Sequence, residues 1–249
     1  MSKHFDVMQR MEKERSFGVE PDPIDDPLIR RVKVKGQRQK RWANDESLRL
    51  VQQIFLLQTE EPPRVVVFAG IDHGNGCSQI CASVAETLAQ HARRRVCLVE
   101  ANFRSPALPE MFGTTNHYGL TNALLEKGPI DSFAKPVNED DNLWLLSSGS
   151  LAADSQNLLT SERLRERFQE LREGFEFVIV DSPPLTRYSD AIVLGQLSDG
   201  VILVVEADST RREAASAIAA NLRSAKIPIL AAVLNKRTFP IPENIYIKL

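Results

Sequence analysis

The chain has 249 residues, of which 43% are hydrophobic and 26% are charged, so it can bury a sizeable core and is neither fibrous nor intrinsically disordered. The 31 Lys and Arg residues against 33 Asp and Glu residues give a formal net charge of -2. This balance argues against nucleic-acid binding, because phosphate contacts need many unopposed basic side chains on one face.

The three cysteines lack Cys-x-x-Cys spacing and suggest neither a disulfide framework nor a zinc knuckle, which fits a reducing, cytoplasmic setting. The longest apolar runs are far shorter than the roughly 20 residues that a membrane-spanning helix needs, and the amino terminus lacks the apolar stretch of a signal peptide. We therefore expect neither a transmembrane segment nor secretion by the usual route.

The first 41 residues differ in character from the rest. Phe5, Met8 and Met11 recur at helical spacing among charged residues, which predicts a short amphipathic helix lying either on a partner or on the protein's own surface. A Pro- and Asp-rich stretch and then a basic one follow, as is typical of a linker. We divide the chain into this N-terminal region (1–41), a main domain (42–235) and a C-terminal tail (236–249).

Segments of helical and strand type alternate through the main domain. Asp45 is a candidate N-cap for the first of these helices. The pattern predicts helices at 45–57, 78–92, 161–172, 189–197 and 211–224, and strands at 64–69, 95–100, 143–146, 175–181, 200–206 and 229–234. Continuous Val, Ile and Leu strands between helices indicate an α/β, doubly wound and mostly parallel sheet with helices on both faces.

The first strand runs directly into a Gly-rich segment, Gly70 to Gln79, that opens a helix. A strand, a Gly-rich turn and a helix N-terminus together present backbone N–H groups and a positive dipole end to an anion. Ligands of doubly wound sheets sit beyond the carboxyl ends of the strands, where this turn lies. A phosphate loop is one interpretation, and an ordinary structural turn is the other.

Two later strands also end in polar residues. Glu100 and Asn102 close one hydrophobic run, and Asp181 closes another just before Ser-Pro-Pro. Metal-binding strands of P-loop proteins end in this way. Together, the three strand ends favour the phosphate-site interpretation.

An ordered set of motifs resembles the bacterial tyrosine autokinases of capsule and exopolysaccharide systems, which are relatives of the MinD/ParA-type P-loop ATPases. The resemblance runs from about Asp45 to Asn235. The motifs are Glu46-x-x-Arg49, the Gly70–Gln79 turn, Phe103-Arg104-Ser105-Pro106, Gly119-Leu120-Thr121-Asn122, Ser161-Glu162-Arg163-Leu164, Asp181-Ser182-Pro183-Pro184, Ser189-Asp190-Ala191, Asp199-Gly200-Val201 and Val233-Leu234-Asn235.

The resemblance implies an ATP- and Mg²⁺-dependent kinase that phosphorylates its own C-terminal tyrosines, forms rings and works with a membrane polysaccharide co-polymerase. By position, the phosphate loop comprises Gly74, Asn75, Gly76, Cys77, Ser78 and Gln79. The resemblance makes Ser78 and Asp181 the Mg²⁺ ligands and places Glu100, Asn102 and Asp181 at the catalytic aspartate positions. It places Asn235 where the nucleotide base is bound. Glu46 and Arg49 match the subunit-contact motif, in which Gln52 replaces a second arginine.

Several positions depart from the family pattern. Cys77 stands where the family has its phosphate-binding lysine, and no lysine occurs between Lys40 and Lys127, so a replacement charge is expected from an arginine or another subunit. Asn102 cannot accept a proton, and Glu100 is one methylene longer than aspartate. Only Tyr246 remains of the C-terminal tyrosine cluster.

Simpler interpretations remain for individual residues. Glu46 and Arg49 also suit an ordinary helical i,i+3 ion pair. Cys77 also suits a reactive thiol, because a helix N-terminus lowers the pKa of a cysteine.

The sequence therefore favours a degenerate, pseudokinase-like family member that acts as a regulatory or scaffold subunit. It would dock peripherally at the membrane on a polysaccharide co-polymerase or adaptor, or on an active kinase paralogue, with homo-oligomerisation as a further expectation. An active ATP-dependent tyrosine autokinase or ATPase is the alternative, and binding of ATP or ADP with Mg²⁺ without turnover lies between the two.

Overall fold

A computed structural model describes residues 45–57, 61–150 and 158–237. Helix α1 covers 45–51 and continues as a π-helical turn, Gln52–Leu56. The other helices are α2 (Cys77–Ala92), α3 (Leu108–Met111), α4 (Leu120–Leu125), α5 (Glu162–Gly174), α6 (Asp190–Gln196) and α7 (Arg212–Ser224), with a 3₁₀ turn at Ile130–Phe133. The strands are β1 (Val65–Gly70), β2 (Val96–Glu100), β3 (Lys135–Pro136), β4 (Leu143–Leu146), β5 (Phe177–Ser182), β6 (Gly200–Glu206) and β7 (Ile229–Asn235).

These strands form one seven-stranded sheet in the order β3-β4-β2-β5-β1-β6-β7. Every pair is parallel except the edge pair β3 and β4. The predicted α/β, doubly wound and mostly parallel fold is confirmed. The sequence pattern misses β3, because two exposed residues paired at a sheet edge carry no period-2 signal.

A separate hydrophobic core covers each face of the sheet. Alternate β1 residues supply the two sides: Val65 and Val67 face one core, while Val66 and Phe68 face the other. The first core is completed by α4, α5, α6 and α7, and the second by α1, α2 and α3. Burial of both faces explains why the central strands read as continuous apolar runs.

The boundaries of the first helix differ from the sequence analysis. Asp45 is already in helical conformation rather than capping the helix, and the expected regular helix to residue 57 becomes a π-helical turn from Gln52. Phe55 in this turn is buried and packs edge-on against Phe177 at 5.6 Å between ring centroids. The tertiary contact therefore accompanies a local departure from regular helical geometry.

Helices α3 and α4 are absent from the sequence-based assignment, because each is too short to show helical periodicity. Their N-terminal N–H groups find acceptors outside the helices themselves. In α4, Leu120 and Thr121 donate to the Ser147 and Ser148 carbonyls at 2.7 and 2.9 Å. Such helices depend on tertiary partners rather than on local sequence.

The Asp199-Gly200-Val201 motif has a structural role at the sheet edge where the parallel strands begin. The Asp199 carboxylate accepts the Arg64 and Val65 N–H groups at 2.7 and 2.8 Å and pairs with the Arg172 guanidinium at 2.9 Å. It fixes the start of β1 beside β6.

The predicted N-terminal helix and linker lie outside the described residues, as does Tyr246. In the part of the chain that the structure describes, no helix is long and apolar enough to span a membrane.

Candidate nucleotide site

A cleft of about 470 Å³ opens at the carboxyl edge of the sheet, above the loop between β1 and α2. This is the position at which a doubly wound sheet binds its ligands. The lining includes Gly70, Asp72, His73, Gly74, Asn75, Gly76, Cys77, Ser78, Gln79, Asn102, Ser105, Ala107, Glu110, Met111, Ser182, Pro184 and Lys236. The six predicted loop residues, 74–79, all line it.

The loop has two glycines in left-handed conformation and is hydrogen-bonded to two strands. Gly74 and Gly76 have φ values of 83° and 84°, which glycine adopts without steric cost. A side chain on Gly76 would collide with the Asn235 amide. Buried Asn75 donates its amide to the Val204 carbonyl at 2.7 Å, and the Asn75 carbonyl accepts the Asn235 amide at 2.8 Å. The loop is thereby anchored to β6 and β7.

Ser78 and Asp181 come together at the start of α2. The Ser78 hydroxyl donates to Asp181 Oδ2 at 2.5 Å, and the Asp181 side chain is fully buried at the end of β5. Burial raises the pKa of Asp181, while the hydrogen bond from Ser78 opposes that shift. A hydroxyl beside a carboxylate offers the two oxygen donors that Mg²⁺ takes in P-loop proteins.

Cys77 does not provide an activated thiolate. A hydrogen bond from Cys81 stabilises the thiolate, but burial and the negative charge of Asp181 outweigh it and raise the pKa of Cys77 to about 11. Cys77 is therefore a neutral thiol at physiological pH. The reactive-thiol interpretation, based on the helix dipole alone, is disfavoured because burial beside a carboxylate dominates.

Glu100 lies beside Asp181 in the register of β2 and β5, but its carboxylate accepts backbone hydrogen bonds. Its Oε2 accepts the N–H groups of Ala107 and Leu108, both at 2.8 Å, at the start of α3. Burial, followed by the charge of Asp181, raises the pKa of Glu100 to about 8. The extra methylene of glutamate thus coincides with a helix-capping geometry.

Asn102 lines the cleft, and its Oδ1 accepts the Ser105 N–H at 3.3 Å. An amide at this position shapes the loop after β2 but cannot take a proton from a hydroxyl.

Glu46 and Arg49 lie on α1 and do not line the cleft. They form an i,i+3 ion pair at 3.8 Å, with side chains 69% and 73% exposed. The geometry matches an ordinary surface pair and also leaves both charges accessible. Their predicted role in a subunit contact stays a prediction.

Two of the resembling motifs meet beside the site. Arg104 pairs with Asp190 at 3.3 Å and stacks over the Tyr188 ring at 3.9 Å. The sequence analysis gave these residues no role, because the Phe103–Pro106 and Ser189–Ala191 motifs are more than 80 residues apart. Their contact ties the loop after β2 to the start of α6.

The structure brings a lysine to the loop that the sequence analysis did not include in the site. The Lys236 ammonium donates to the Gly74 carbonyl at 2.6 Å and to Glu206 at 3.2 Å, and Lys236 lines the cleft. An ammonium group has three donors, so one remains for a further acceptor. Lys236 is therefore a further candidate for the replacement charge, beside the expected arginine or second subunit. The available signal was the position of Lys236 directly after Asn235, at the carboxyl end of a strand.

The chain is similar in sequence to known proteins. No protein-family model matches the chain. The tyrosine-protein kinase YwqD of Bacillus subtilis is 30% identical over 193 residues, which cover 77% of this chain and 81% of the relative. The chain belongs to the bacterial tyrosine-protein kinase family. The putative tyrosine-protein kinase CapB of Staphylococcus aureus is 28% identical over 77% of this chain and 82% of its own length.

Several solved structures have the same fold as this chain. The chimerical protein CapA2B2 has a TM-score of 0.72 at 22% identity, covering 78% of this chain and 85% of its own. The VpsO kinase domain has a TM-score of 0.71 at 24% identity, covering 80% and 98%. A chain of the MinC:MinD cell division protein complex of Aquifex aeolicus has a TM-score of 0.61 at 18% identity, covering 73% of this chain and 72% of its own. The predicted P-loop fold of the MinD and ParA type is confirmed.

Proposed function

We propose that this tyrosine-kinase relative is a catalytically degenerate regulatory or scaffold subunit of capsular or exopolysaccharide biosynthesis and export. Its loop would hold a nucleotide polyphosphate without transferring phosphate. The observation that carries this proposal is Cys77, a neutral, half-buried thiol at the loop position where the resemblance expects a lysine. Phosphoryl transfer depends on charge stabilisation and positioning, so this loss weakens turnover more than it weakens binding.

The acid positions support the same proposal. Glu100 caps α3 and its pKa is raised to about 8, so it is largely protonated at neutral pH. Asn102 is not a proton acceptor. A kinase needs a carboxylate that orients and deprotonates the attacking hydroxyl, and neither side chain offers one.

ATP and Mg²⁺ fit the remaining residues in part. Ser78 and Asp181 are the oxygen donors that would hold Mg²⁺, and the braced loop with Lys236 would hold the phosphates. Bound Mg²⁺ would screen the negative charge of the nucleotide. A membrane co-polymerase or adaptor, or an active kinase paralogue, would be the docking partner on the cytoplasmic side.

The Asp181→Asn substitution separates this proposal from the enzymatic alternative. We expect the wild-type chain and the variant to release phosphate from Mg·ATP at the same background rate, and neither to gain phosphotyrosine. Asparagine keeps an acceptor for Ser78 and removes the carboxylate. Labelled phosphate release and a phosphotyrosine blot measure both.

The alternative is an active ATP- and Mg²⁺-dependent tyrosine autokinase or ATPase, and the position of Lys236 beside the loop favours it. It predicts Mg²⁺-dependent turnover that Asp181→Asn abolishes and that the exposed-site control Asp140→Asn leaves unchanged. That result would overturn the degenerate assignment.

A lysine substitution tests polyphosphate binding. We expect Lys236→Gln to weaken binding of Mg·ADP and of inorganic pyrophosphate about three- to tenfold, a loss of about 1 kcal/mol, because one charge-assisted hydrogen bond is removed. Titration calorimetry at fixed ionic strength measures the change.

Lys226→Gln is the matched control, because Lys226 is also exposed and has a similar left-handed backbone conformation. Its φ is 59°, against 56° for Lys236. Both changes remove one positive charge from the protein. Equal losses in the two variants, or none in Lys236→Gln, would contradict a direct role for Lys236.

A further inference from the structure

Three potential metal ligands meet under the phosphate loop. The Sγ atoms of Cys77 and Cys81 and a carboxylate oxygen of Asp181 all lie within 4.8 Å of one another. Cys77 and Cys81 are four residues apart on α2, so they share one face of the helix. Asp181 comes from β5, which packs directly against that face.

The separation of these atoms is close to the geometry of a tetrahedral thiophilic cation. With Zn–S bonds of about 2.3 Å and Zn–O bonds of about 2.0–2.2 Å, two sulfurs lie about 3.8 Å apart and a sulfur and an oxygen about 3.5 Å apart. Cys81 Sγ lies 3.6 Å from Asp181 Oδ1. Side-chain adjustments of about 1 Å bring the whole set to bonding distance.

The Asp181 carboxylate divides its two oxygens between two neighbours. Oδ2 accepts the Ser78 hydroxyl, on the side where Mg²⁺ is expected, and Oδ1 faces the Cys81 thiol. A cation held by the thiols is therefore chemically distinct from Mg²⁺, which prefers oxygen ligands only. The two ions would still compete for one carboxylate.

The buried side chains around this cluster favour the binding of a cation. Cys81, Asp181 and Glu100 are fully buried, and Glu100 Oε1 has no hydrogen-bond partner among the described residues. Two thiols and two carboxyl groups thus lie close together where the resemblance expects a lysine. Cys77 lines the cleft and is partly exposed, which provides an access route.

We propose that Cys77, Cys81 and Asp181 form a binding site for a thiophilic divalent cation of the Zn²⁺ class, with the fourth position open to the cleft. Binding ionises the two thiols and releases their protons to solvent, with no change of oxidation state. Because the cation replaces a proton on each thiol, the affinity rises with pH. A bound cation would hold the loop and withdraw Asp181 from Mg²⁺.

The test is a Cd²⁺ titration of the chelator-treated full chain under a non-thiol reductant. Cadmium–thiolate bonds give an ultraviolet charge-transfer band that cadmium bound only by oxygen ligands lacks. We expect one equivalent to give the thiolate band, Zn²⁺ to displace it, and a thousandfold excess of Mg²⁺ to leave it in place. Cys77→Ser and Cys81→Ala should each lower the affinity at least tenfold and reduce the band by about half.

Cys97→Ser is the matched control, because Cys97 is also buried but lies on β2 outside the cluster. It should keep the band, and Asp181→Asn should keep it with weaker affinity. The melting temperature gives a second measure: Zn²⁺ should raise it in wild type and Cys97→Ser but not in the two cluster variants. No band in the wild type, or a band lost only with Cys97→Ser, would overturn the proposal.

Discussion

Replacing Cys77 by lysine is expected to raise the affinity for Mg·ATP at least tenfold, a gain of about 1.4 kcal/mol or more. The thiol already lies at the start of α2, where the braced loop presents its backbone to the cleft. A lysine there would face Asp181 and could reach the phosphates, adding charge-assisted hydrogen bonds that a neutral thiol cannot make. Titration calorimetry on the purified chain measures the affinity.

Cys77→Met is the matched control for this prediction, because methionine lengthens the side chain without adding charge. It should leave the affinity unchanged or lower it. Autophosphorylation should stay absent in Cys77→Lys, since Glu100 and Asn102 are unaltered. Equal affinities for the lysine and methionine variants would mean that charge at this position does not control nucleotide binding.

Glu100→Gln is expected to stabilise the fold at alkaline pH by about 2–4 kcal/mol. The pKa of Glu100 rises from 4.5 to about 8 in the folded chain, so the native state holds a proton that the unfolded state has lost. The free energy of unfolding therefore falls as pH rises between these values, by up to about 1.4 kcal/mol per pH unit. Glutamine resembles the protonated acid and keeps an acceptor for the Ala107 and Leu108 N–H groups.

Urea unfolding at pH 5, 7 and 8.5 measures this effect. The variant and the wild type should differ by less than about 1 kcal/mol at pH 5 and diverge above it, with the flatter pH profile in the variant. Glu139→Gln, at an exposed position, is the control and should follow the wild type. Parallel profiles for wild type and Glu100→Gln would show that Glu100 is ionised at neutral pH like a surface carboxylate.

The sequence predicted the features that depend on local pattern. The buried parallel strands, the five longer helices and the loop from Gly70 to Gln79 follow from apolar runs, helical periodicity and glycine placement, and the structure confirms them within a few residues. The convergence of the loop, Ser78 and Asp181 also followed, because the carboxyl ends of parallel strands share one edge.

Only the tertiary structure decided what Lys236, Cys81 and Glu100 do. Lys236 contacts Gly74 across 162 positions of the chain, and Cys81 meets Asp181 across 100. Glu100 caps α3, a helix too short to be recognised from its own residues. The Lys236 and Cys81 contacts join segments distant in the chain, and the Glu100 contact depends on a short helix without periodicity, so no local pattern encodes any of the three. The charge balance of the loop is therefore set by packing between strands, whereas its backbone path is already specified by the glycines within it.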